Sequence, residues 1–299
     1  MKSRNSYNPL TILSTFLLGP LLLCLSDLNL AQNQPVLAIT VHQNSIQEEL
    51  KQWQQRPVSC QYIAENFNSP KDRGAAELKI ICHAFIASGS NPEIILIGVP
   101  NHVRSLFLLE VGKADLAAES VWLEEINLNK VWASKAVITH GEFEKAPYTT
   151  PSHPLQSTKA ENINLSNYQG VAVRTWTHDL YTMTQLSDQV ASAVDFDSIY
   201  RMLEAGRSDY TFLESHHHGN DFFSNGKTQL VPVEGVYVVL EGTRHMTISK
   251  SSKHGVWARK HLNQGINKLA KTGKIREIYE QSGFLHSKKD PKRLLEASY

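Results

Sequence analysis

Cysteine is scarce in this chain, with three residues among 299. That excludes a disulfide-stapled miniature fold and a cysteine-rich zinc module. A surplus of one charge is missing too: 30 Lys and Arg face 29 Asp and Glu, a formal net charge of +1. There is accordingly no electrostatic footprint for nucleic acid. The basic residues are scattered, apart from a short tail run at Lys288, Lys289, Lys292 and Arg293, which reads as solvated. No nucleophile elbow, zinc helix motif or phosphate loop occurs, which removes the chemistries that depend on them. Beyond the N-terminus no apolar run approaches the roughly 20 residues that span a bilayer. What remains, 41% hydrophobic and 20% charged, is ordinary globular composition for one large or two medium domains.

The N-terminus is the exception. Lys2 and Arg4 precede an uncharged apolar stretch from Pro9 to Leu25, and polar Gln32-Asn33-Gln34 follows. A positive end, an apolar middle and a small residue before polar sequence is the layout of a secretory signal. Residues 1–31 are assigned to it, with cleavage after Ala31 and Ser26 as the competing point. An uncleaved anchor is the main alternative; lipid attachment at Cys24 is disfavoured because Leu23 stands where a small residue is wanted. The mature protein is expected to be soluble and periplasmic. Cys60 and Cys82 then remain as an even pair in an oxidising compartment, either joined as one disulfide or buried as two thiols.

One run occurs twice. Leu109-Glu110-Val111-Gly112-Lys113-Ala114-Asp115 is echoed by Leu203-Glu204-Ala205-Gly206-Arg207-Ser208-Asp209. Each copy reads as a last helical turn, a glycine stop and an aspartate opening a strand. The strands that follow, Leu116-Ala117-Ala118 and Tyr210-Thr211-Phe212-Leu213, are short and apolar, as buried parallel strands are. Two copies are too few for a solenoid and suit two similar α/β lobes.

Around the repeat, the pattern alternates. A short segment covers 35–41, a helix 45–55 and a strand 58–64. A turn at 68–70 leads to a helix over 75–87, a strand over 93–99 and a helix over 102–111. After a strand at 131–139, Gly141, Pro147, Pro151 and Pro154 mark a crossing segment. A second α/β set follows, with strands at 170–174 and 189–193 and helices at 177–186 and 197–205. Strands at 230–233 and 235–240 lead back, and helices over 254–270 and 275–281 close the chain. Alternation of this kind builds parallel sheets covered by helices.

Several runs, in this order, resemble the family 3 extracellular solute-binding proteins. They are Leu109 to Asp115, Val131 to Ser134, Tyr168 to Val173, Leu203 to Asp209, Ser249-Lys250, Leu262-Asn263-Gln264-Gly265-Ile266, and Gly273-Lys274-Ile275 with Ile278-Tyr279. The resemblance spans about 58 to 284 and implies the type 2 periplasmic binding protein fold. That is an α/β clamshell whose two lobes are each a mostly parallel sheet flanked by helices, joined by two crossing hinge segments. It implies one lobe from 35–140 plus 235–299 and an inserted lobe from 141–234, with solute held between them.

The resemblance also implies site residues. Amino-acid binders of the family grip the ligand carboxylate with an arginine in a Thr-x-x-Arg run. Here Trp122-Leu123-Glu124-Glu125-Ile126-Asn127 occupies that stretch and has no arginine, which argues against ordinary α-amino-acid binding. Ser120, Trp122, Ser134 and Tyr148 are expected at the cleft. So are Arg174 at a strand end, Trp176, and Thr177 as a helix cap with a ligand-facing hydroxyl. Glu214, just past the second repeat, is expected to meet a ligand amino group. The repeated aspartates are assigned to backbone bonding instead. His216-His217-His218 lies at consecutive positions, which do not converge on a metal, and neither metal nor cofactor is expected.

The function implied is non-catalytic capture of a small polar solute by a monomer, for an inner-membrane transporter. A sensory role beside a membrane receptor is the alternative, as is an enzyme on the same clamshell, as in dehydratase-like relatives, with Glu214 or a histidine as acid or base.

Overall fold

A computed structural model describes residues 34–43, 56–67, 73–214, 222–285 and 293–295. The signal segment, the helix expected at 45–55, the turn at 68–70, the histidine run and the lysine tail lie outside the described residues.

The first sheet grows around β1 (Val36–His42), whose alternate Leu37, Ile39 and Val41 are buried. β2 (Val58–Ser59) ends at once, because the Ser59 hydroxyl accepts from the Tyr62 amide at 3.1 Å and caps α1 (Cys60–Asn66). The strand expected over 58–64 is therefore mostly helix: a serine cap outweighs a short apolar run. α2 (Arg73–Ala87) is buried over most of its circumference, as a core helix is. β3 (Glu93–Val99) pairs parallel to β1 and antiparallel to β2. α3 (His102–Glu110) is capped by Asn101 and feeds the first repeat copy into β4 (Leu116–Ala117), parallel to β1 on its other side. β5 (Val121–Trp122) and β6 (Val131–Ile138) follow. Cys60 and Cys82 lie side by side on α1 and α2 as buried free thiols; burial and the Cys60 thiol push the Cys82 thiol well up.

The chain then leaves this sheet. β7 (Glu144–Thr149) forms inside the proline-rich stretch and becomes the centre of a second sheet. Pro147 fits there because its carbonyl still accepts, from the Val233 amide at 2.8 Å. β8 (Gly170–Val173), α4 (Thr177–Leu186), β9 (Val190–Ala193) and α5 (Phe196–Glu204) make a parallel unit. β10 (Thr211–Leu213) touches β8 through a parallel Gly170–Tyr210 bridge, but its ladder runs antiparallel to β7. The parallel expectation thus holds at Tyr210 and is corrected over Thr211–Leu213, whose ladder partner is the incoming crossing strand. β11 (Phe223–Ser224), β12 (Gln229–Pro232) and β13 (Val236–Val239) extend this sheet.

β14 (Arg244–Ser249) re-enters the first sheet, antiparallel to β4, β5 and β6. α6 (Gly255–Thr272) packs on α2, and α7 (Lys274–Gln281) follows directly. Gly265 explains the Gly-Ile of the penultimate helix, since a Cβ there would lie 1.8 Å from the Ala84 carbonyl oxygen. β15 (Arg293–Leu295) pairs with β13.

Both repeat copies fold identically at their aspartates. Asp115 donates its amide to the Ala38 carbonyl at 2.7 Å, and its carboxylate accepts from the Ala38 amide at 2.8 Å. Asp209 does the same with Gln169, at 2.8 and 2.6 Å. Each side chain supplies the acceptor that a continuing strand would have supplied.

Candidate functional site

A cleft of about 580 Å³ opens between the elements of the two sheets, a volume suited to a small solute. One wall carries His42, Arg73, Ser120, Trp122 and Glu125; the other carries Thr175, Trp176, Asp179, Leu213, Glu214 and Phe223. Lys145 of β7 and Arg244 of β14, both close to the crossings, complete it.

The floor is a polar cluster in an apolar setting. Glu77 on α2 is fully buried and accepts from the Ser120 amide at 2.9 Å, the Ser120 hydroxyl, and the Tyr279 hydroxyl at 3.0 Å. Arg73, one helical turn earlier, lies 3.7 Å from the same carboxylate and 3.4 Å from Glu214 on the opposite wall. Burial pushes the Glu77 carboxyl up, against the pull of Arg73 and Arg244. For Arg73, burial works against the charge, but Glu214, Glu77 and Glu119 outweigh it and hold the guanidinium above its ordinary pKa.

Arg244 is held differently. Its Nε and terminal nitrogen donate to the Ser120 hydroxyl and carbonyl, at 3.2 and 2.5 Å. Its guanidinium carbon lies 4.8 Å from the Trp122 ring centroid and 5.2 Å from that of Phe143. Only 6% exposed, it has no carboxylate at ion-pair distance among the described residues. Burial and the neighbouring Arg73 lower its pKa. Lys145, by contrast, is matched by Asp179 at 2.6 Å, and burial raises the Asp179 carboxyl against that pull.

Contacts cross the cleft. The His178 ring stacks on Trp122 at 4.1 Å and 9°, and its Nε2 lies 3.4 Å from Glu124. Burial lowers the His178 pKa although Glu124 and Glu125 pull it up. The Thr177 hydroxyl donates to Glu125 at 3.3 Å.

Of the residues singled out by sequence, Ser120, Trp122, Trp176 and Glu214 line the cleft together. The others stand elsewhere. The Ser134 hydroxyl donates to the Lys135 carbonyl and accepts from the Met246 amide within the first sheet. Tyr148 is fully buried under Phe223. Arg174 is exposed to solvent while Thr175 turns to the cleft. Thr177 opens α4 but makes no cap bond, its hydroxyl being committed to Glu125. Glu214 faces a guanidinium of the protein itself. Sequence reasoning missed Arg73, Glu77, Lys145, Asp179 and Arg244. A signal existed for Glu77: an acid amid Ala75, Ala76 and Leu78 on an apolar helix, four residues after an arginine.

No protein-family model matches the chain, and no curated protein does. Solved structures do. The chain is similar to the periplasmic VFT2 domain of Bordetella pertussis BvgS, with TM-score 0.51 and 12% identity over 83% of this chain and 94% of that one. It is also similar to the B. pertussis BvgS periplasmic domain, with TM-score 0.50 and 12% identity over 87% of this chain and 44% of the other. The likeness is one of fold, and the fold is the two-lobed clamshell of type 2 periplasmic binding proteins.

Proposed function

We propose, from this fold and its cleft, that the chain is an exported, non-catalytic binding protein that captures a small carboxylate-bearing solute. In this reading 35–140 with 235–299 form one lobe and 141–234 the other, except that β13 and β15 pair into the second sheet beside β7, and the chain closes as a monomer and passes the solute to a membrane transporter. The observation that carries the ligand class is Arg244: a buried, cleft-lining guanidinium with no carboxylate at ion-pair distance among the described residues, although Glu77, Glu214 and Glu125 act on it from further off, set over the Trp122 and Phe143 rings with Ser120 fixing its orientation. A ligand carboxylate would give it a direct ion pair, as a charge-assisted contact. It would also neutralise the repulsion between Arg244 and Arg73. Export belongs to the same reading.

The test is a thermal-shift screen of small carboxylates, amino acids, amines and short peptides. A ligand at about 100 times its Kd stabilises by about 2.7 kcal/mol. The expected hits carry a carboxylate, and Arg244→Met loses the ligand-induced rise, whatever its own melting temperature. Amines as the strongest hits, with the rise intact in Arg244→Met, would overturn the reading. Consumption of a hit over time would make the chain an enzyme.

A further inference from the structure

We propose that the outer face of α6 docks on an anionic lipid surface. In a chain of net charge +1, residues 250 to 276 contain no Asp or Glu. Lys253, Arg259, Lys260, Lys268 and Lys271 are exposed, and Lys250 is half-buried beside them. The helix turns Ala258, Leu262, Gly265, Ile266 and Leu269 to the protein body, so the cations share the outward face along about 27 Å of helix. Lys250 and Arg259 meet over the Trp132 ring, at 5.8 and 4.9 Å, which joins the start of the helix to the same patch. None of the six has a carboxylate at ion-pair distance among the described residues; Lys250 and Lys268 donate to the Leu128 and Ala87 carbonyls instead.

The make-up of the face selects the partner. Protein interfaces are built on aromatic residues, Met and Arg at their centre and are depleted in Lys. This face holds five Lys and one Arg, and its exposed apolar side chain is Val256 at 72%. Single-stranded nucleic acid needs aromatic platforms for its bases, and Trp132 is covered by Lys250 and Arg259. Lysines on flexible stems around a small apolar side chain fit a sheet of anionic headgroups, where each cation strengthens binding about fivefold. The inference does not depend on the identity of the cleft's ligand.

The experiment is co-sedimentation of the full chain with vesicles of equal phosphatidylglycerol and phosphatidylcholine, or of phosphatidylcholine alone. Binding is expected to the first and not the second, weakening at least about tenfold between about 0.1 and 0.5 M salt. The triple variant Lys253→Gln/Lys260→Gln/Lys271→Gln should lose about a hundredfold at an unchanged melting temperature, and the corresponding Lys→Arg triple should retain binding. Equal binding to both vesicles, as the apolar stretch at 9–25 would produce, overturns the proposal. So does a Gln triple that binds like the parent, or binding to polyglutamate with none to vesicles.

Discussion

Glu77 illustrates how one residue organises the cleft floor: Ser120, Tyr279 and Arg73 all converge on a carboxylate with no solvent exposure. Removing one member of a buried charged cluster leaves the others unmatched, so Glu77→Gln should cost about 3 kcal/mol in urea unfolding. A cost below about 1 kcal/mol would mean that the cluster is not cohesive. His178 sets a pH dependence. Its folded pKa is lowered by burial, so the unfolded chain binds its proton first as pH falls. The stability tied to neutral His178 is therefore complete above the ordinary histidine value near 6.5 and is lost progressively below it. His83 and His261 are lowered in the same direction, again chiefly by burial. The difference between parent and His178→Phe isolates one ring: melting temperature should fall less steeply from about pH 7 to 5.5 in the variant, which keeps an aromatic against Trp122.

Among the elements, the repeated turn is the informative comparison. Gly112 and Gly206 both adopt left-handed φ, 72° and 62°. A Cβ on Gly112 would also lie 2.8 Å from the Ser251 carbonyl oxygen, whereas nothing lies within 4 Å of one on Gly206. Gly206→Ala should thus cost about 1 kcal/mol, the backbone term alone, and Gly112→Ala about 3 kcal/mol in the same urea assay. Equal costs would contradict the packing difference. Most helices were legible in the sequence because apolar spacing and stop glycines are local: the residues of α4 are those expected, and those of α5, α6 and α7 differ by a residue or two at the ends, whereas α1 was read as a strand. β7 and the direction of β10 were not legible, since each depends on a partner far along the chain. For the same reason β14, whose ladder reaches back to β4, β5 and β6, was sensed only through its terminal Ser249-Lys250.

At the scale of the molecule, the cleft is bridged by an ion pair, a stacked ring pair and a hydroxyl–carboxylate bond. Exposed or half-exposed contacts of this kind contribute about 0.5–1 kcal/mol each, enough together to shift an open–closed balance. The double variant Glu214→Gln/His178→Ala should accordingly show a larger radius of gyration in small-angle scattering; an unchanged value would show that these contacts do not hold the cleft closed. The alternation of helix and strand, the two similar lobes and the structural role of Asp115 and Asp209 were written in local pattern. The grip on a ligand was not. The expected arginine run is missing, and guanidinium groups arrive instead from the start of α2 and from β14, which are 171 positions apart in Arg73 and Arg244. Charge recognition needs proximity and desolvation, and both arise when folding brings distant segments to one buried floor, so no local spacing encodes them.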